Sequence, residues 1–98
     1  MFGYVADREL RLLLQTALLG EVGCALRGVT YGLDGREVRI RFYFRGPIRD
    51  EDRESASRVV TEVIAGLPED VRVAEEVIRL DAPARIPRDL PPVFRSRD

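Results

Sequence analysis

Between Cys24 and Arg45 the chain alternates with a period of two on both sides of an Asp34-Gly35 pair, which marks two β-strands joined by a tight turn. Val29, Tyr31 and Leu33 alternate with Gly28, Thr30 and Gly32, and Val38, Ile40, Phe42 and Phe44 alternate with Glu37, Arg39, Arg41, Tyr43 and Arg45. With Asp34 and Gly35 as the loop residues of a type I′ turn, the register sets Leu33 against Arg36, Tyr31 against Val38 and Val29 against Ile40. The apolar residues of both strands then share one face, and Thr30, Arg39, Arg41 and Tyr43 share the other.

The segments on either side carry a helical period. Asp7 can cap a first helix with apolar positions Leu10, Leu13, Leu14, Ala17 and Leu18, which Gly20 and Gly23 stop. Leu12 and Leu19 lie off that stripe, so this helix is greasier than one buried face requires and suits either a broad core contact or an intermolecular one. Gly46-Pro47 ends the second strand, and Asp50-Glu51-Asp52 then sets three carboxylates at the positive end of a second helix. Its stripe is Ala56, Val60, Val63, Ile64 and Leu67; Glu54 and Arg58 form an i,i+4 pair, and Gly66 and Pro68 end it.

The run Val71 to Leu80 is rich in Val and Ile and reads as a third strand. Residues 83–98 hold prolines 83, 87, 91 and 92 and read as an extended tail, pinned by Ile86, Leu90 and Phe94. Ninety-eight residues fit one domain, here residues 1–82 followed by the tail at 83–98. The expected fold is α+β in α-β-β-α-β order, a two-layer sandwich. Two helices pack on one face of a three-stranded, mainly antiparallel sheet, the other face stays wet, and the second helix makes a right-handed crossover. Met1 to Val5 would, as a fourth strand, complete a β-α-β-β-α-β pattern.

Composition narrows the chemistry. The chain has no His, which removes the usual general base at neutral pH, the Ser-His and Cys-His nucleophile pairs and the commonest transition-metal ligand. Cys24 is alone, so neither an intrachain disulfide nor a cysteine zinc site can form, and it reads as a quiet thiol. Ser55 and Ser57 have no base beside them. The acids at 50–54 lack the spacing of a calcium loop, and the glycines at 28, 32 and 35 lie in a hairpin, not in a phosphate-binding turn. No enzyme, cofactor or metal is expected. The apolar cluster Leu10 to Leu19 is broken by Arg11, Gln15 and Thr16, so no membrane span is expected either, and the cytoplasm is the default address.

The net charge of -1 hides an uneven distribution. Residues 34–49 carry two acids against five bases, whereas residues 50–82 carry ten acids against four. That excess would steer a basic partner to Asp50, Glu51, Asp52 and Glu54 at the helix start and to Glu69, Asp70, Glu75 and Glu76 around the third strand. The outer residues of the first helix, or Phe94, would supply the apolar anchor. A protein that imitates the charge of nucleic acid in this way can plug a nuclease.

Leu18-Leu19-Gly20-Glu21-Val22, the Phe42-Tyr43-Phe44 strand, Asp50 to Ser57 leading to Thr61-Glu62-Val63-Ile64-Ala65, and Ile78-Arg79-Leu80-Asp81 before a proline-rich end carry a likeness over about residues 10–87. In these the chain resembles small bacterial immunity proteins paired with polymorphic toxins, including those of contact-dependent growth inhibition. The resemblance implies a cytoplasmic, non-catalytic protein that binds the C-terminal domain of one cognate toxin, often a nuclease, and blocks it; a monomer or weak homodimer is expected. Two other readings compete. A ferredoxin-like nucleic-acid binder would use Arg39, Arg41, Tyr43 and Arg45 as its platform, although the strand lacks the Gly of the RNA-recognition fingerprint. A carboxylate-only hydrolase or isomerase would need two acids converging in a pocket with separated pKa values.

Overall fold

The computed structural model describes residues 6–21 and 23–96. Its elements are α1 (Asp7–Leu18), β1 (Leu26–Asp34), β2 (Glu37–Phe44), α2 (Asp50–Ala65), β3 (Arg72–Arg79) and β4 (Pro92–Arg95). They form one four-stranded sheet in the order β3-β2-β1-β4 with both helices on one face. The α+β architecture is as the sequence indicates, but the three-stranded, mainly antiparallel sheet is corrected to a four-stranded mixed one. The crossover through α2 returns the chain to the start of β2, so β3 runs parallel to it, from Glu37 beside Arg72 to Phe44 beside Arg79. The fourth strand comes from the proline-rich end and pairs antiparallel with β1, Val29 opposite Phe94 and Thr30 opposite Pro92. An edge strand tolerates proline because half of its amides face away from the ladder. The amides of Tyr31 and Ser96 donate to the carbonyls of Pro91 and Arg27 at 3.1 and 2.8 Å and bracket the pairing. The possible strand at Met1 to Val5 lies outside the described residues.

The hairpin forms with a register two residues removed from the expected one. Leu33 lies opposite Val38, Tyr31 opposite Ile40 and Val29 opposite Phe42, so the loop residues are Gly35 and Arg36. Gly35 has φ +63° and no other residue type among those described takes a positive φ, so the turn puts its one left-handed position on glycine and spares Asp34 that conformation. A shift of two residues leaves every side chain on its own face, which is why the apolar side survives the change.

That side is the core. Val29 and Tyr31 of β1 and Val38, Ile40, Phe42 and Phe44 of β2 are buried against Leu10, Leu14, Ala17 and Leu18 of α1 and Ala56, Val59, Val60 and Val63 of α2. Each of the larger side chains contributes roughly 1.5–3 kcal/mol by leaving water. In α2 the buried stripe takes Val59 in place of Ile64, which is 50% exposed, because positions 56, 59, 60 and 63 align at i, i+3, i+4 and i+7. Asp7 is not the cap of α1. Ala6 holds that position without a side-chain bond, and Asp7 instead accepts a hydrogen bond from the buried Tyr31 hydroxyl at 3.2 Å.

The opposite face of the sheet, expected to be wet, is covered. After β3 the chain crosses it as a strap over residues 80–91. Arg27 Nη1 donates to the Leu80 carbonyl at 2.6 Å, and the Gly46 amide donates to Asp81 Oδ1 at 2.6 Å. Ile86 then fills the space where a side chain on Gly28 would stand, and Leu90 does the same over Gly32. Two glycines on one face of β1 leave slots that an apolar side chain from above can enter. Asp89 accepts from Arg41 Nη1 at 2.8 Å between them. Under this cover Thr30 is 1% and Tyr43 2% exposed.

Candidate partner-binding surface

Asp50, Glu51 and Asp52 occupy the first turn of α2. Asp52, three residues into the helix, accepts the Arg49 amide at 3.0 Å, which closes the turn and satisfies a donor that the helix cannot. Glu51 lies 3.4 Å from the Arg49 guanidinium in a pair that water screens. Glu54 stays exposed on the next turn, because Arg58 turns away from it to Glu21, 3.2 Å away. Arg58 and then Ser55 hold the Glu21 carboxyl below its ordinary value. Glu21 thus ties the loop after α1 to the first turns of α2 and fixes where the acidic turn points.

The remaining proposed acids stand elsewhere. Glu69 and Asp70 follow the far end of α2, and a helix of 16 residues puts them about 24 Å along its axis from Asp50. Asp70 pairs with Arg36 at 3.2 Å. Glu75 lies beside Ile40 on the helix side of the sheet and accepts from the Ser57 hydroxyl at 3.3 Å. Glu76 lies beside Arg41 on the strap side and pairs with it at 3.2 Å. The structure therefore groups Asp50, Glu51, Asp52 and Glu54, and distributes Glu69, Asp70, Glu75 and Glu76 over the other end of α2 and the two faces of the edge strand.

Two concave regions flank the helices. One, of about 640 Å³, lies where Glu21 and residues 23–26 meet Phe44 to Pro47 and the acidic turn of α2, with the exposed Cys24 on its wall. The other, of about 740 Å³, is a groove between α1 and α2 lined by Leu12, Leu13, Leu67 and Pro68, with Glu9 and Glu62 as its charged residues. The sequence pointed to this groove only through Leu12, whose position off the core stripe leaves it 57% exposed. Leu67, Pro68 and Gly66 gave no such signal, since they read as the end of a helix. They face α1 because the helices lie side by side, close enough that a side chain on Gly66 would strike Leu13.

The competing chemistries find no such support. Tyr43 is buried beneath the strap and so offers no ring for a base to stack on. Arg41 is held between Asp89 and Glu76, and those carboxylates, Asp89 foremost, strengthen its hold on its proton. Among the described residues, the carboxyls whose titration is displaced, Glu21, Asp81 and Asp89, are displaced downward, the wrong direction for a general acid at neutral pH. Among the described residues no group of three or more Cys, Asp or Glu is placed to hold a metal ion, and no helix is long and apolar enough to cross a membrane.

Comparison with known families gives a match. The model of a family described as MafI2 immunity protein covers residues 7–95, from the first residue of α1 to the last of β4. No curated protein matches the chain. The family agrees with the likeness to immunity proteins of polymorphic toxin systems that the sequence carries.

Proposed function

The chain belongs to the MafI2 immunity protein family, whose function is immunity against a toxin, and from that premise we propose that it neutralises one cognate toxin by stoichiometric binding. The target is the toxin's C-terminal domain, a nuclease, and the encounter takes place in the cytoplasm between the toxin and an inhibitor that is a monomer or weak homodimer. The protein acts by occupying a surface and turns nothing over. The acidic turn Asp50, Glu51, Asp52 and Glu54 steers a basic, nucleic-acid-binding surface onto the outer side of the helices, whereas Asp70 and Glu76, neutralised by Arg36 and Arg41, add little to that field. The observation that carries this reading is the family match over nearly the whole chain, and the excess of ten acids over four bases in residues 50–82 supports its electrostatic part.

The test is co-expression with the C-terminal domain of the toxin encoded beside this chain's gene. Cells that carry both survive, and the two purify as a one-to-one complex. Replacing Asp50 by Asn and Glu51 and Glu54 by Gln removes three charges and leaves the Asp52 cap in place. Association slows by about tenfold at low ionic strength, and the difference closes at about 0.5 M salt, where charges a few ångströms apart are screened. An unchanged on-rate at low salt refutes the steering role, and failure to protect cells refutes the assignment of this toxin.

A further inference from the structure

We propose that the groove between α1 and α2 is the anchor subsite of the toxin interface and that it receives an apolar segment of the toxin carrying lysine or arginine at its edges. The proposal rests on the toxin-binding reading above and assigns the contact that gives that complex its lifetime. An acidic turn accelerates encounter, but long-lived complexes depend on a few apolar side chains seated in a desolvated pocket ringed by polar groups. The concave region beside the acidic turn is walled by Glu21, Arg45, Arg49, Glu51 and Asp52, whereas the groove between the helices carries only Glu9 and Glu62 as charged lining and is the more apolar of the two.

The groove can. Leu12 projects from α1 with more than half of its surface in water, Leu13 forms the floor, and Leu67 and Pro68 close the side where α2 ends. Gly66 lets the two helices approach here, since any side chain at that position would displace Leu13. The charge around the groove selects the occupant. Glu9 and Glu62 have no ion-pair partner among the described residues, and the bases of α1, Arg8 and Arg11, fall on the helix sides turned away from α2 by the helical period. An apolar segment flanked by cations pairs with both carboxylates. A second copy of this chain, docked through the same groove, would set Glu9 and Glu62 against their own counterparts, a like-charge contact that opposes a homodimer. The groove also shares the outer surface of α2 with Glu54, so a partner steered to the acidic turn reaches the groove without leaving that surface.

The experiment measures dissociation of a catalytically dead toxin C-terminal domain from immobilised full-length immunity protein. Leu12→Asp places a charge in the groove at an exposed position, so the fold, checked by thermal melting, is unaffected. We expect affinity to fall about thirtyfold or more, chiefly through faster dissociation. Leu19→Asp is the control, because Leu19 is 78% exposed and stands outside the groove, and it binds as the unaltered protein does. Glu9→Gln with Glu62→Gln weakens binding more at low than at high salt. Undiminished affinity in Leu12→Asp overturns the proposal. So does a homodimer of the unaltered protein that Leu12→Asp dissolves, since it assigns the groove to a second copy. Binding lost equally in Leu12→Asp and Leu19→Asp also overturns it. Failure of the unaltered protein to bind this domain refutes the toxin reading itself, a different result from an intact complex indifferent to Leu12.

Discussion

A methyl group added at Gly28 tests whether the strap is part of the fold or merely lies on it. The Cβ of Gly28→Ala would stand inside van der Waals contact of Ile86 Cδ1 and 3.1 Å from the Phe94 carbonyl oxygen. The first neighbour is the end of a side chain, but the second is the backbone of β4 and cannot swing aside. Overpacking of this kind costs about 1–3 kcal/mol, and the stiffer unfolded chain of an alanine variant returns about 0.4–1 kcal/mol, so from the middle of both ranges a net loss of about 1.3 kcal/mol is expected. For a domain of this size that lowers Tm by about 5–10 °C, read by circular dichroism and by the midpoint of urea unfolding. Gly32→Ala is the internal comparison. Its methyl meets only Leu90, with Cδ2 at 2.8 Å, and a leucine tip can rotate away, so the change stays within about 0.5 kcal/mol of neutral. Ile86→Val removes the Cδ1 atom in the way, and in that background Gly28→Ala should cost less by about 1 kcal/mol, a coupling that a double-mutant cycle isolates. Gly28→Ala as stable as the parent, or a cost indifferent to Ile86→Val, would refute the packing of the strap on β1.

Acid should release the strap before the core. The Asp89 carboxyl is held below its ordinary 3.8 by Arg41, and that of Asp81 by the Gly46 amide and Arg79, so both favour the folded form when ionised. Their contribution is complete above that ordinary value and is lost as pH falls through the lower folded-state values. Amide exchange of Tyr31 and Ser96, which bond to Pro91 and Arg27, should therefore accelerate below about pH 4 while amides of α2 stay protected; simultaneous loss of both would contradict this. Tyr31→Phe keeps the buried ring and removes the hydroxyl that bonds to Asp7, so it should lower stability by about 1 kcal/mol in urea unfolding, and an unchanged midpoint would show that this bond holds nothing.

The elements that formed where the sequence placed them are those whose pattern is local. The hairpin, both helices and β3 each carry a period or a turn signal within their own residues. The sequence misplaces the hairpin register because Asp34-Gly35 satisfies the usual preference for a type I′ turn, and only the observed backbone, with Gly35 the one loop residue at positive φ, separates the two arrangements. The strap and β4 were hidden for the opposite reason. Pro83, Pro87, Pro91 and Pro92 erase any periodicity, and what orders the segment is another strand far away in sequence. A signal was present all the same: Gly28 and Gly32 stand four residues apart on one face of β1, and Ile86 and Leu90 stand four apart in the tail, matching spacings that become informative only once the two are laid side by side. At the candidate surface, charge alone could not tell the solvent-facing acids of the α2 turn from Asp70, Glu75 and Glu76, which hold Arg36, Ser57 and Arg41.

With helices sealing one side of the sheet and the strap sealing the other, the residues that hold the protein together and those proposed to meet a partner hardly overlap. Leu12, Glu54 and Glu62 are exposed, whereas Tyr31, Phe42 and Val63 are buried. Such a scaffold can be rewritten for a new adversary one surface residue at a time, each intermediate still folding.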